Sequence, residues 1–152
     1  MGDYSNYFAN FHSYLPIINE ERFYWRLQNS KSDQRFSQLM LGMSLVAQLS
    51  STTEHALSRA KEIYPTLKGA FSYHQAVGAP AVDLVQTGVM VASFEHCQGF
   101  HQEAWMTIGA CVRMGHILRQ QELNTSDSIS NKKDSDSQAT LWCCIAILER
   151  FV

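Results

Sequence analysis

The feature that most constrains this chain is a pair of long apolar patterns with helical spacing, separated by only a few residues. In the first pattern, apolar residues recur three or four positions apart at Val82, Val85, Val89 and Ala92. The run is long and lacks strand-like alternation, so it predicts a helix, which we expect to end near Gly99. A second helix is predicted over 102–121. Two helices with so short a connection form an antiparallel αα-hairpin.

The second of these helices contains three residues that a buried helix does not favour. Gly109 and Gly115 each cost roughly 1 kcal/mol relative to alanine in a helix interior, and Arg113 lies among apolar neighbours. Because glycine lets two backbones approach closely, we expect both glycines at helix crossings, with Trp105 buried beside them. Arg113 then needs an acceptor, and Glu149 is the expected partner. The sequence therefore predicts a central helix packed by several neighbours.

Shorter helical patterns precede the hairpin. An aromatic-rich opening is interrupted by Pro16, which predicts a short helix to about Tyr14 and another over 21–28. A longer helix with one buried stripe is predicted over 34–50. The overall prediction is an all-α fold, a helical bundle built around the central antiparallel αα-hairpin.

Local signals predict where two of the later helices begin and end. Ser51 and Glu54 have the spacing of a capping box, which predicts a helix start. Pro65 is expected to kink or end that helix. Pro80 is placed where the first position of the next helix would be.

The last part of the chain combines a polar segment with an apolar one. Residues 124–138 are Ser-rich and almost free of apolar side chains, so we predict a disordered polar insertion. Residues 139–152 are apolar nearly all round, which predicts a helix buried on several sides, including Trp142. Because this segment ends at Val152 without a polar tail, we expect one helical domain, 1–152, that is incomplete at its carboxyl terminus.

Composition excludes two classes of partner. Hydrophobic residues make up 45% and charged residues 17% of the chain, as in globular proteins. The 12 basic residues are outnumbered by 14 acidic ones, whereas direct readers of nucleic acid usually carry a basic patch. No apolar run approaches the roughly 20 residues that span a bilayer. We therefore expect neither direct DNA contact nor a membrane partner.

Two pairs of residues match fragments of catalytic motifs. Ser58 and Lys61 have the S-x-x-K spacing of one hydrolase class, but that class needs further motifs that are missing here. Cys111 and His116 are five residues apart, so on a helix their side chains diverge. Solvent exposure for the first pair and core packing for the second are the better interpretations. We expect no catalytic residue and no enzyme.

The thiols and histidines give no complete metal site. The four cysteines lie in apolar, helical patterns without a C-x-x-C pair, as expected for free thiols in a reducing compartment. His96, Cys97 and His101 cluster around a helix end, but their spacing spans a turn rather than one helical face. We therefore expect no metal and no cofactor in this chain.

Three stretches resemble one protein family. They are YFANFHSYLPIINEERF at 7–23, DLVQTGVMVASFEHCQGFHQEAWMTIGACVRMG at 83–115 and LWCCIAILER at 141–150. Together they resemble the fungal-specific transcription factor regulatory domain, the middle homology region of fungal binuclear zinc-cluster transcription factors. The structural signature of that resemblance falls on Trp105, Gly109, Arg113, Trp142, Glu149 and Arg150.

The resemblance implies a nuclear protein that acts in RNA polymerase II transcription regulation through intra- or intermolecular helix packing. It also implies that zinc and DNA are bound by a zinc-cluster region not present here, and that self-association or transcriptional co-regulators supply the partners. Two alternatives remain open at this point. One is a free-standing helical interaction module. The other is a small-ligand-binding helical protein, in which His74, His96 and His101 would be the polar residues of a binding cleft.

Overall fold

The computed structural model describes residues 3–29, 33–51, 53–125 and 132–151. Across these ranges all regular structure is helical and no strand occurs, so the predicted all-α fold is confirmed. The helices are α1 (Asp3–Asn6), α2 (Glu20–Asn29), α3 (Gln34–Ala47), α4 (Glu54–Val77), α5 (Val82–Cys97), α6 (His101–Thr125) and α7 (Lys132–Phe151). A π-helical turn, Tyr7–Phe11, continues α1, and a 3-10 turn, Gln48–Ser50, continues α3.

The predicted central hairpin is formed by α5 and α6. Among the described elements, these two helices make the most extensive contact. Gly99 in their connection has a φ of 80°, a conformation that glycine adopts without steric cost and that commonly ends a helix. The prediction that α5 ends near Gly99 is therefore confirmed.

The central helix of the fold is α5, not α6 as the sequence patterns suggested. Every residue from Leu84 to Glu95 is buried, because α5 lies between α6 and α3 and also contacts α4 and α7. An all-round apolar helix needs such neighbours on every side. In contrast, α6 keeps one side in solvent.

The main core joins the first helical turn of the chain to the last helix. Its largest fully buried side chains each contribute roughly 1.5–3 kcal/mol through removal from water. They include Tyr7, Ile17, Phe23, Met43, Met90, Ile108 and Ile145. A smaller cluster between α3, α4 and α5 contains Leu45, Ala60, Leu67, Val91 and Phe94.

Pro65 does not end its helix, contrary to one part of the prediction. The helix α4 continues through Pro65 to Val77. The Pro65 ring is exposed to solvent, while Leu67 and Phe71 in the following turns are buried. Burial of those two side chains offsets the backbone hydrogen bond that proline removes.

Two predicted helix starts are shifted by two residues. The N-cap of α4 is Thr53 rather than Ser51, and its hydroxyl accepts a hydrogen bond from the Ala56 N–H at 3.4 Å. Pro80 lies before α5, which begins at Val82. In both cases the helix is present where the pattern predicts it, and only the terminal turn differs.

The predicted disordered insertion, 124–138, is largely helical where the structure describes it. The helix α6 extends to Thr125 and α7 begins at Lys132, while 126–131 lie outside the described residues.

Candidate functional site

A fully buried carboxylate, Glu95, lies where three helices meet. Glu95 belongs to α5, Tyr64 and Lys68 to α4, and Thr107 to α6. The Tyr64 hydroxyl donates to Glu95 Oε1 at 2.7 Å, and Lys68 Nζ donates to the same oxygen at 2.6 Å. The Thr107 hydroxyl lies 2.7 Å from Glu95 Oε2. Both carboxylate oxygens of Glu95 are therefore bound within the chain.

This Glu95 cluster offsets the cost of burying a charge. An isolated carboxylate in a protein interior costs several kcal/mol unless it is both paired and hydrogen-bonded. Lys68 supplies the opposite charge, and its ammonium group also donates to the Thr107 hydroxyl. Because the partners come from α4 and α6, the cluster fixes both helices relative to α5.

The Tyr64 hydroxyl keeps its proton and is a hydrogen-bond donor in this cluster. Desolvation by burial is the largest cause that raises the pKa of Tyr64 above its ordinary value of 10.0, and the hydrogen bond to Glu95 raises it further. Tyr64 is therefore neutral at physiological pH. General acid–base catalysis needs a group that can reach a substrate proton, whereas Glu95 is enclosed, so the arrangement serves as a cross-link between helices.

A second polar cluster joins α2, α3 and α5 around Arg26. Its guanidinium binds Asp83 through two hydrogen bonds, of 2.8 and 2.7 Å, and Asp33 through a third of 3.0 Å. It also lies 4.5 Å from the centre of the Phe36 ring. Asp33 in turn caps α3 by accepting from the backbone N–H groups of Arg35 and Phe36. The bidentate pair of Arg26 and Asp83 fixes the relative orientation of the two side chains and also stabilises their contact.

The pocket that Arg26 lines together with Phe23 is too small for a drug-sized ligand. Its volume is about 80 Å³, whereas small-molecule sites usually enclose about 300–1,000 Å³. Two of its polar side chains are already engaged, since Arg26 binds Asp83 and the buried Gln86 amide donates to the Ile17 carbonyl at 2.6 Å. These contacts anchor the amino-terminal segment to α5.

The exposed side of α6 carries large apolar side chains. Trp105 is 64% exposed and Met106 68%, so the expected burial of Trp105 is wrong. Gly109 lies on the same side and does not occupy a crossing within the described chain, because an added Cβ would meet only Arg113 Nη1, at 3.5 Å. We call Trp105, Met106, Gly109 and Arg113 the exposed α6 face.

Arg113 and Glu149 do not form the buried ion pair that the sequence predicted. Both side chains are exposed, as is that of Arg150. None of the described ion pairs includes any of the three, and the described pair with a fully buried carboxylate is Lys68 with Glu95. Arg113 needs no internal partner, because solvent covers the side of α6 on which it lies.

Gly88 and Gly115 are among the glycines that lie at close helix crossings within the described residues. An added Cβ at Gly115 would lie 2.5 Å from Trp142, which packs half-buried between α6 and α7, so the crossing predicted for Gly115 is confirmed. At Gly88 an added Cβ would lie 2.6 Å from the Phe71 ring and closer still to Cys111 Sγ. Sequence reasoning missed Gly88, the glycine that lets α4 and α6 approach α5.

The fragments of catalytic motifs do not form a site. Ser58 and Lys61 are both exposed on α4, as their spacing suggested. Cys111 is fully buried, with its thiol 3.7 Å from the Val85 carbonyl, while His116 is exposed and its ring lies beside Trp142. The predicted divergence of Cys111 and His116 is therefore confirmed.

The histidines do not converge on a cleft. His96 and His101 lie with ring centroids 5.4 Å apart, next to the exposed Cys97. His74 lines a groove with Arg22 on a different surface from the one that His101 lines. Within the described ranges no group of three residues could hold a metal ion, and no described helix is long and apolar enough to cross a membrane.

One feature of the sequence indicates that Glu95 is buried with a partner. An acidic residue stands in the otherwise apolar run VMVASFEHC, which requires a buried or capping partner. Lys68, however, is 27 positions away from Glu95 and is one of several exposed-looking charges on α4. The partner follows only from the way in which the helices pack.

Comparison with known proteins places the chain in a family. The family model for the fungal-specific transcription factor domain matches residues 4–152. The transcription factor tazR of Aspergillus terreus is 26% identical over 96% of this chain and 24% of its own length. The citrinin biosynthesis transcriptional activator mrl3 of Monascus ruber is 27% identical over 78% of this chain and 24% of its own length.

A third relative is also a transcriptional activator. The pigment biosynthesis transcriptional activator pigB of Monascus ruber is 25% identical over 96% of this chain and 28% of its own length. No solved structure matches the chain. The chain spans about a quarter of the length of these relatives, which are a transcription factor and two transcriptional activators. It belongs to the fungal-specific transcription factor domain family.

Proposed function

We propose that this chain is a regulatory domain that does not itself contact DNA and that acts by packing exposed helix faces against another protein surface. The observation that carries the proposal is the exposed α6 face, where Trp105 is 64% and Met106 68% exposed. Large apolar residues that are grouped on one surface mark protein interaction sites.

The balance of acidic and basic residues supports a domain that does not itself contact DNA. Affinity for duplex DNA comes mainly from Lys and Arg residues that neutralise phosphates, and here 14 acidic residues outnumber 12 basic ones. Asp33 and Asp83 also neutralise Arg26. We propose that DNA and zinc are bound by a separate zinc-cluster region, that the protein acts in the nucleus on RNA polymerase II transcription, and that this chain holds no cofactor and no catalytic centre.

A titration of fluorescently labelled duplex DNA tests the proposal. We expect no saturable change in anisotropy at about 0.15 M salt, where the Debye length is roughly 8 Å. Lowering the salt strengthens any phosphate-driven binding steeply, so the same titration at about 0.05 M salt provides the sensitive arm. Sub-micromolar affinity that weakens with salt would overturn the proposal.

A further inference from the structure

We propose that a groove lined by three arginines binds an acidic peptide segment of another protein, whose carboxylates pair with Arg22 and Arg35. The groove lies on a different surface from the exposed α6 face, so binding here is a second contact and does not depend on the first. We call it the arginine groove. Its described lining residues include Arg22 and Arg26 of α2, Arg35 of α3, His74 of α4, Asp33 and Asp83.

The arginine groove concentrates positive charge on an acidic chain. Three of the seven arginines of the chain line it against two aspartates, so its net charge is +1 with His74 neutral, whereas the whole chain carries −2. Complementary charge steers a partner to a surface and disfavours partners of the wrong sign. The groove therefore offers positive charge to an anionic partner that the rest of the chain would repel.

Arg26 and its two aspartates fix the shape of the groove. Asp83 and Asp33 hold the Arg26 guanidinium through three hydrogen bonds, of 2.8, 2.7 and 3.0 Å, and the guanidinium lies 4.5 Å from the centre of the Phe36 ring. These charged groups pair with one another, so they shape the groove rather than bind the partner. A surface that is already ordered loses less conformational entropy when a partner binds.

Arg35 can bind a carboxylate of the peptide. Among the described residues, its guanidinium makes one hydrogen bond, from Nη2 to the Ala79 carbonyl at 3.3 Å. A guanidinium has five N–H donors in a planar fork that matches a carboxylate. The contact with Ala79 therefore holds the Arg35 guanidinium in place and leaves further donors for a partner. Arg22, which is exposed, adds a second guanidinium to the groove.

The shape of the groove favours a peptide over a small molecule or a nucleic acid. Its volume is about 690 Å³ and it opens widely to solvent, whereas small-molecule sites enclose most of their ligand. Duplex DNA needs many cations to neutralise its phosphates, and here Asp33 and Asp83 lie among the arginines. An extended peptide needs only a few carboxylates placed between neutral residues.

Fluorescence anisotropy of a labelled probe peptide measures binding to the full chain. The Asp probe is a short fluorescein-labelled peptide in which Asp alternates with Ser, and the matched Asn probe has Asn in place of every Asp. We expect saturable binding of the Asp probe and none of the Asn probe, because carboxylates form the stronger, charge-assisted hydrogen bonds with arginine. Equal binding of both probes, or an Asp probe that does not saturate with a Kd below about 1 mM, would overturn the proposal.

A phosphoserine probe without Asp distinguishes a carboxylate site from a phosphate site. Arginine clusters also bind phosphorylated peptides, so this probe is titrated under the same conditions. We expect the Asp probe to bind without any phosphate. Binding of the phosphoserine probe together with no binding of the Asp probe would overturn the proposal.

Arginine variants test where the Asp probe binds. Arg35→Gln and Arg22→Gln should each weaken binding by about tenfold, which is the effect of losing one hydrogen-bonded charge pair. The matched control Arg59→Gln removes an exposed arginine of α4 that lies roughly 22 Å along the helix from His74. This distance exceeds the Debye length of roughly 8 Å at 0.15 M salt, so the control should leave binding unchanged. Circular dichroism checks that each variant is folded, and equal weakening by all three would overturn the proposal.

Cross-linking locates the bound peptide on the surface. In a background with Cys97→Ser and Cys143→Ser, which removes both exposed thiols, Gln34→Cys in the groove should form a disulfide with an Asp probe that ends in Cys. The control Ser58→Cys, at an exposed position of α4, should react about tenfold more slowly, because binding raises the local concentration of the probe only at the groove. Equal rates would overturn the proposal. DNA binding in the titration above would reject the proposed function and leave this site standing.

Discussion

Glu95 shows how one residue can decide the arrangement of three helices. Its side chain is fully buried, and both of its oxygens are bound by side chains from α4 and α6. Removing one partner from a buried pair leaves an uncompensated charge, which is far more costly than never having the pair. The stability of the domain should therefore depend strongly on Lys68.

Lys68→Met is expected to lower the free energy of unfolding by about 3–5 kcal/mol, because it leaves the Glu95 carboxylate buried without its cation. Urea unfolding followed by circular dichroism measures this change. The control is Lys61→Met, which removes an exposed charge from the same helix and should change stability by no more than about 0.5 kcal/mol. Equal effects of the two variants would mean that Glu95 does not depend on Lys68.

Cys111 gives a prediction about alkaline pH. Burial, the largest cause, raises the pKa of the Cys111 thiol from 9.0 to about 12. A group whose pKa is raised by folding contributes stability that is fully present below its unfolded pKa, and this contribution is lost as pH rises from about 9 to about 12. Urea unfolding at increasing pH should therefore show a steeper loss of stability for the wild type than for Cys111→Ala. Parallel curves would contradict this.

At the scale of the helices, the sequence predicted which segments pair but not which side of each segment is covered. The hairpin of α5 and α6 follows from apolar spacing and Gly99, and both are confirmed. Trp105 was expected in the core for the same reason, because periodicity identifies an apolar side without showing what packs against it. For α6 the covered side is the one that contains Cys111.

The same ambiguity affects the glycines. Nothing in the sequence distinguishes these glycines, yet Gly88 and Gly115 lie at close crossings and Gly109 faces solvent. The difference depends on how the neighbouring helices pack. The starts of α4 and α5 were likewise predicted only to within about two residues, since several adjacent Ser, Thr and Pro residues can supply a cap.

Gly88→Ala should destabilise the fold by about 1–3 kcal/mol through overpacking against Phe71 and Cys111. The matched substitution Gly109→Ala should be neutral or stabilise by up to about 1 kcal/mol, because alanine is the better helix former and nothing within the chain opposes its methyl group. Thermal and urea unfolding of both variants at low protein concentration measures the difference. A Gly88→Ala variant as stable as Gly109→Ala would show that α4 and α6 do not approach α5 as described.

At the scale of the whole molecule, fold class and family were within reach of the sequence. The apolar spacing predicted all-α structure, and the stretches 7–23, 83–115 and 141–150 predicted the family that the comparison then showed. The Glu95 cluster and the exposed α6 face were not predicted. The first depends on a contact across 27 positions, and the second depends on which side of α6 lacks a neighbour.

A transcription reporter tests the central claim, that the exposed α6 face is the contact surface of a regulatory domain. The chain is fused to an unrelated DNA-binding domain, and reporter output is compared between the fusion and the DNA-binding domain alone. We predict that the wild-type chain and Trp25→Ala change the output equally, and that Trp105→Ala, at the same expression level, abolishes most of that change. Output with Trp105→Ala that equals the wild type, or a chain that has no effect on output, would contradict the claim.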